Sequence, residues 1–213
     1  MQAQERVAPR PELTRLVVNL ADNKYFLGRR YAEWCSSAPT LEAAVAAAAM
    51  AQDEIGHARS LYPLWRDLSG EDVEPEQRTE YTNAPFLDGA FEGWTDFVAA
   101  NFLFDTAMTV LLGAADGSFT PLAQRARRML EEEQLHWLHG EGWTRRLPAK
   151  GAAVRDELVR SLARVSPDAL SWFDVAAPVL MDEGVLLAGA EALRERFRGQ
   201  VNAVLATAGL PSV

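Results

Sequence analysis

A chain of 213 residues, 48% hydrophobic and 24% charged, is long enough to bury a core and too apolar for disorder or collagen-like order. Thirty acidic against 21 basic residues leave a net charge of −9, which offers no electrostatic footprint for nucleic acid or an anionic membrane surface. The first ten residues contain no apolar leader core, and the apolar stretch Ala43 to Met50 is far short of the roughly 20 residues that span a bilayer. These features predict a soluble, cytoplasmic protein of one domain over residues 1–213. The lone Cys35 cannot form an internal disulfide, agrees with a reducing compartment, and reads as structural.

Long stretches of Ala, Leu, Glu and Arg predict an almost entirely helical chain. The first helix is expected from Glu12 to Cys35, ended by the Ser36–Thr40 turn, where Thr40 can N-cap a second helix over Leu41–Leu68. Pro63 predicts a kink or break inside that helix. Ser69–Gly89 mixes Pro, Gly and charge without helical period and reads as a long crossover. A third helix is expected over Phe91–Ala115. Thr120 and Pro121 read as N-cap and first-turn proline of a fourth helix ending near Leu147. Further helices are expected over Ala152–Val165 and Val185–Ala208. Two antiparallel pairs joined by a crossover match a ferritin-like four-helix bundle, over about residues 12–147, with a helical C-terminal extension over about 149–213.

Stepping by three and four along each helix from its apolar residues shows what else faces the bundle seam. The series Leu13, Val17, Leu20, Lys24, Leu27, Tyr31, Trp34 places a lysine inside. Helix two gives Met50, Glu54, His57, Leu61, Leu64, Leu68, and helix three gives Trp94, Val98, Asn101, Asp105, Met108, Leu112. Helix four gives Leu122, Ala126, Met129, Glu133, His136, Gly140, Trp143. Six ionisable residues therefore face the seam. Counting across the turns brings Glu54 level with position 22, within half a turn of Lys24, and Glu133 level with position 104, beside Asp105.

Glu54-x-x-His57 and Glu133-x-x-His136 repeat a spacing that sets a carboxylate and an imidazole one turn apart, as a helical metal site requires. Asp53 and Glu132 each precede a ligand histidine by four residues, a spacing suited to a hydrogen bond that fixes the imidazole. His139 falls off the seam and reads as a bystander.

On these residues the chain resembles the ferritin-like large subunits of the phenylacetyl-CoA ring-epoxidase (phenylacetate-CoA oxygenase) family, over roughly residues 13–147. The stretches that carry the resemblance are LADNKYFLGRRYAEWCSSAPTLE from Leu20, QDEIGHARSLY from Gln52, FLFD ending at Asp105, and EEEQLHWLHGEGW from Glu131. The family pairs a catalytic subunit, holding a carboxylate-bridged di-iron site, with a companion of the same fold that has lost ligands and serves as scaffold. The resemblance implies metal-ligand positions at Glu54, His57, Asp105, Glu133 and His136, while LGRRYAEWCSSAP is more similar to the companion. The catalytic subunit's first-helix ligand is a Glu, and counting back from the Ala-Pro-Thr turn puts Lys24 there.

Three carboxylates and one ammonium leave a charge of about −2, which one divalent ion or two protonated histidines would neutralise. The resemblance thus leaves open iron, as one or two ions, or a metal-free site in which Lys24 occupies part of the first metal position. Asp22 is the carboxylate nearest in sequence that could replace the missing ligand, but it points about 160 degrees from Lys24 on the helical wheel. The favoured expectation is an accessory or structural oxygenase subunit, assembling with a homologous ferritin-like subunit and a reductase around a CoA thioester substrate. The alternatives are the catalytic di-iron monooxygenase subunit and a stand-alone metal-binding or peroxide-handling protein.

Overall fold

The computed structural model describes residues 10–71, 74 and 77–213. Most of the N-terminal decapeptide, and residues 72, 73, 75 and 76 of the expected crossover, lie outside these. The described residues form helices and connections with no strand, an all-α ferritin-like bundle.

Helix α1 spans Pro11–Ala32, its first turn opened by a proline whose missing N–H has no helical partner to lose. It ends three residues before the expected Cys35, and residues 33–37 form turns. Helix α2 spans Leu41–Ser69. The Thr40 hydroxyl accepts from Ala43 N at 3.2 Å, and left-handed Gly70 (φ 73°) closes the last turn onto the Arg66 carbonyl. The expected break at Pro63 does not occur: the helix continues through it. The proline leaves the Arg59 carbonyl without its helical donor, and Arg125 Nε donates to the neighbouring Ser60 carbonyl at 2.8 Å.

Helix α3, Trp94–Leu112, starts three residues later and ends three earlier than expected, and its middle, Ala100–Asp105, is wound as a π-helix. By length and composition α3 could cross a membrane, but 89% of that window is buried inside the protein. Helix α4 spans Thr120–Arg146 and tightens into a 3-10 turn over Leu147–Lys150. Its N-cap is Phe119 and not the expected Thr120, which is already helical.

The extension contains α5 (Ala152–Ser171), α6 (Pro178–Asp182) and α7 (Ala190–Thr207). Helix α5 outlasts the expected Val165 and runs through Pro167. Helix α6 is an element the sequence pattern did not suggest, and the last helix begins five residues later than expected. Helix α5 packs on α3, and α7 on α3 and α4.

Two glycines set how closely the helix pairs approach. A Cβ on Gly28 of α1 would stand 2.8 Å from Ile55 Cγ1 and 3.0 Å from Glu54 Cβ on α2. A Cβ on Gly140 of α4 would stand 2.9 Å from Asn101 Oδ1 and 3.1 Å from Phe102 Cα on α3. Both contacts lie at residues of the polar seam.

The connection from α2 to α3 is fixed to α1 by polar side chains. Buried Asp22 accepts from Tyr62 Oη (2.9 Å), Thr82 N (2.8 Å), Thr82 Oγ1 (3.0 Å) and Arg78. Asn19 donates to the Thr82 carbonyl at 2.8 Å, and Asn23 Oδ1 accepts from Ala84 N at 2.8 Å. Asp22 thus holds the crossover in place and is not available to a metal on the inner seam. Replacing it, Asp22→Ala, leaves Arg78 and the Thr82 amide without their acceptor. The expected loss is about 3–5 kcal/mol in urea unfolding, with faster protease cleavage between residues 77 and 84. Wild-type cleavage kinetics in the variant would refute the anchoring role.

Candidate metal centre

The seam residues read from the sequence converge in the middle of the bundle. Lys24, Glu54, Asp105, Glu133 and His136 are buried, each at 1% exposure or less, and His57 is buried at the edge of the group. Lys24 Nζ donates to Glu54 Oε1 at 2.9 Å, Asp105 Oδ1 at 3.0 Å and Glu133 Oε1 at 2.5 Å. One ammonium from α1 thereby joins one carboxylate from each of α2, α3 and α4.

The two histidines close the cluster on the α2–α4 side. His136 Nδ1 lies 3.0 Å from Asp105 Oδ2 and 3.2 Å from Glu54 Oε1. His57 Nδ1 lies 3.4 Å from Glu133 Oε1. Their outward nitrogens meet the two carboxylates expected to orient them, but crosswise. Glu132 Oε2 lies 2.6 Å from His57 Nε2, and Asp53 Oδ2 lies 3.3 Å from His136 Nε2. The expected pairing along each helix is corrected for a geometric reason. Each imidazole turns Nδ1 into the cluster and Nε2 toward the neighbouring helix, so the carboxylate within reach comes from there.

Three residues with no role assigned from sequence complete the site. Tyr31 Oη donates to Asp105 Oδ2 at 3.3 Å, and Thr109 Oγ1 donates to Glu133 Oε2 at 3.0 Å. Asn101 Nδ2 donates to Asp105 Oδ2 at 3.4 Å and to the His136 carbonyl at 3.1 Å. Tyr31 and Asn101 stood on the inner series, so their position was readable, whereas Thr109 was off it. The π-wound segment carries Asn101 and Asp105 on successive turns, a local widening that is frequent at functional sites. His139 lies outside the cluster. Its Nδ1 is 3.0 Å from Asn101 Oδ1, and its ring stands edge-on to Trp94 and Phe97.

Glu54, Asp105, Glu133 and His136 each offer a ligand atom, all within 4.8 Å of one another. A buried set of carboxylates and imidazole is the donor chemistry of a helical-bundle metal site. A match to the model of the phenylacetic acid catabolic protein family extends over residues 1–212. The chain belongs to the phenylacetic acid catabolic protein family. It is 28% identical over 142 residues to a 1,2-phenylacetyl-CoA epoxidase subunit of Escherichia coli (strain K12), a stretch covering 64% of this chain. The same stretch spans 57% of that relative, less than two thirds of its length.

Within this family member, charge decides the protonation of the cluster. Burial works against the Lys24 ammonium, but Asp105, Glu133 and Glu54 outweigh it and hold its pKa well above the usual lysine value. Burial would raise Glu133, yet Lys24, His136 and His57 hold it well below the carboxylate range. Glu54 goes the other way: burial and the Asp105 carboxylate push it up to about 7 against the pull of Lys24, and its Oε2 has no hydrogen-bond partner. Burial opposes charge on His136 and His57, but the surrounding carboxylates raise both. Burial and the neighbouring His136 push His139 down to about 4.

The pH dependence of stability follows. Glu54 titrates higher in the fold than its ordinary 4.5, so its contribution is complete below 4.5 and is lost as pH rises to about 7. His57 and His136, raised above 6.5, stabilise fully below that value and lose the contribution as pH climbs. Glu133, held low, stabilises above 4.5 and loses that contribution on acidification. His139, held down at about 4, adds stability as pH rises from there to 6.5 and offsets the loss from Glu54, so the melting temperature is expected to change little between about pH 4.5 and 6.5 and to decline from there toward pH 8. Glu54→Gln is expected to leave the His139 contribution unopposed, so that the melting temperature rises between about pH 4.5 and 6.5, and to spare the decline above 7. A Glu54→Gln profile that tracks the wild type between about pH 4.5 and 6.5 would contradict the assignment.

Proposed function

We propose that this chain is an accessory, structural subunit of a phenylacetyl-CoA epoxidase-type oxygenase in phenylacetate catabolism, and that Lys24 stands in for metal at its centre. The observation that carries the reading is the Lys24 ammonium, bonded to all three seam carboxylates. A positive group already takes one oxygen of each potential bridging ligand. A two-ion centre does not fit these residues. Three carboxylates and an ammonium sum to about −2, against the four positive charges of two divalent ions, and both histidines are drawn toward their protonated forms by the carboxylates around them.

Space supports the same reading. The void beside the cluster, lined by Asn101, Asp105, Thr109, Glu133, His136 and Gln200 among others, is about 10 Å³. That is room for about one water, whereas an aromatic ring the size of benzene needs a cavity on the order of 150 Å³. The cluster thus has no place for the ring of an aryl-CoA thioester. The proposed role is to pack against a homologous ferritin-like subunit that carries the oxygen chemistry, supplied with electrons by a separate reductase, in the cytoplasm.

The test is metal content per chain after expression with iron and manganese supplied, together with co-purification against a co-expressed ferritin-like partner. The expected result is well below one ion per chain and a stable complex. Two irons per chain would overturn the accessory reading in favour of a catalytic subunit. Metal bound with redox turnover and no partner would favour a stand-alone protein. In Lys24→Glu the fourth carboxylate replaces the ammonium, and metal uptake is expected to rise. A Lys24→Glu protein that stays folded and gains no metal would show that this lysine does not limit loading.

A further inference from the structure

A cavity of about 430 Å³ opens between the end of the crossover, the first turn of α3 and helix α5, and no residue of the Lys24 cluster lines it. Its size is that of a small-molecule site, about 300–1,000 Å³. Phe86 and Phe91 both line it. Each is half-buried, and their rings lie parallel to within 4° with centroids 6.5 Å apart. Phe86 is fixed in place, since its ring meets Phe104 edge-on at 5.0 Å and its backbone N–H donates to Asp168 Oδ2 at 3.1 Å.

The charges beside these rings are mostly negative. Glu92, Asp96 and Asp168 line the cavity against one cation, Arg164. Asp96 is already satisfied: Ser161 Oγ donates to it at 2.6 Å, Glu92 N donates at 3.0 Å, and Arg164 pairs with it. Glu92 and Asp168 make no ion pair among the described residues, which leaves two negative charges uncompensated. The faces of phenylalanine rings carry partial charge of the same sign. Rings and carboxylates therefore favour the same kind of guest, a cation, and repel an anion. Arg164 supplies an example from within the chain, because its planar guanidinium is drawn to Asp96 while the side chain stays 51% exposed.

We infer that this cavity binds a small organic cation carrying a flat ring, an arylalkylammonium or a protonated aromatic amine, with the ring against Phe86 and Phe91 and the positive charge toward Asp168 and Glu92. This goes beyond the proposed function and stands without it, since it requires neither a partner subunit nor any state of the Lys24 cluster.

The experiment is isothermal titration calorimetry of the purified full chain with benzyltrimethylammonium, which has both the ring and the charge. Tetramethylammonium, which lacks the ring, and phenylacetate, which reverses the charge, serve as comparisons, and thermal melting by circular dichroism checks that each variant is folded. Benzyltrimethylammonium is expected to bind with a dissociation constant on the order of 1 mM or tighter, and both comparison ions more weakly by about threefold or more. Phe91→Leu keeps the bulk but removes the ring face, and is expected to weaken binding by about threefold or more, with Phe91→Tyr close to the wild type. Asp168→Asn keeps an acceptor for the Phe86 N–H while removing the charge, and is expected to weaken binding by a similar factor. Arg164→Gln removes the competing cation and is expected to tighten it by about twofold or more. No binding of benzyltrimethylammonium at millimolar concentration would overturn the inference, and so would phenylacetate or tetramethylammonium binding as tightly. Those comparisons need no variant. Binding indifferent to both Phe91→Leu and Asp168→Asn in folded protein would place the cation elsewhere and equally overturn it.

Discussion

A single ammonium group held by three carboxylates, one from each of three other helices, is the constraint on which this bundle depends. Lys24 Nζ lies where no water competes for it, and desolvating four charges is costly unless every one is paired and hydrogen-bonded. The pairing here is nearly complete. Tyr31, Asn101 and Thr109 occupy further oxygens of the carboxylates, and the two imidazoles are positioned to supply the remaining positive charge. Glu54 Oε2 is the exception, and its carboxyl accordingly gives up its proton reluctantly.

Other features can be read as serving that arrangement. Gly28 lets α1 settle onto α2 at Glu54, and Gly140 lets α4 settle onto α3 at Asn101, so that side chains of ordinary length meet at the centre. The π-wound middle of α3 turns both Asn101 and Asp105 inward over a short stretch. Helix α1 is charged on two opposed faces, both buried. Lys24 enters the bundle, while Asp22 faces the other way and secures the crossover, which in turn covers it.

Much of this was legible in the sequence because bundle helices repeat at intervals that a linear reading can follow. The inward series named Lys24, Glu54, His57, Asp105, Glu133 and His136, and all six are buried. The wheel also set Asp22 away from the site, where it is found. What the series could not supply was rotation about side-chain bonds. Asp53 and Glu132 were placed one turn from a histidine on their own helix, but the imidazoles present their outer nitrogens to the neighbouring helix, and the partners are exchanged. Thr109 lay off the periodic line, half-buried beside Met108, and its reach to Glu133 is a matter of side-chain rotation that spacing does not show. Pro63 signalled a break that did not occur, since packing on α1 and a guanidinium at the adjoining carbonyl keep the helix continuous. The helix α6 was too short for periodicity to reveal.

Because the cluster takes one charged group from every helix of the bundle, it also acts as a register mark. Sliding any helix by one turn, about 5.4 Å, would carry its member out of hydrogen-bonding distance and bury the others unpaired. An apolar seam of leucines and alanines tolerates such a slip, because one turn further on it presents much the same surface. The ionic centre does not repeat, so it singles out one alignment of the four helices among several that hydrophobic packing alone would accept.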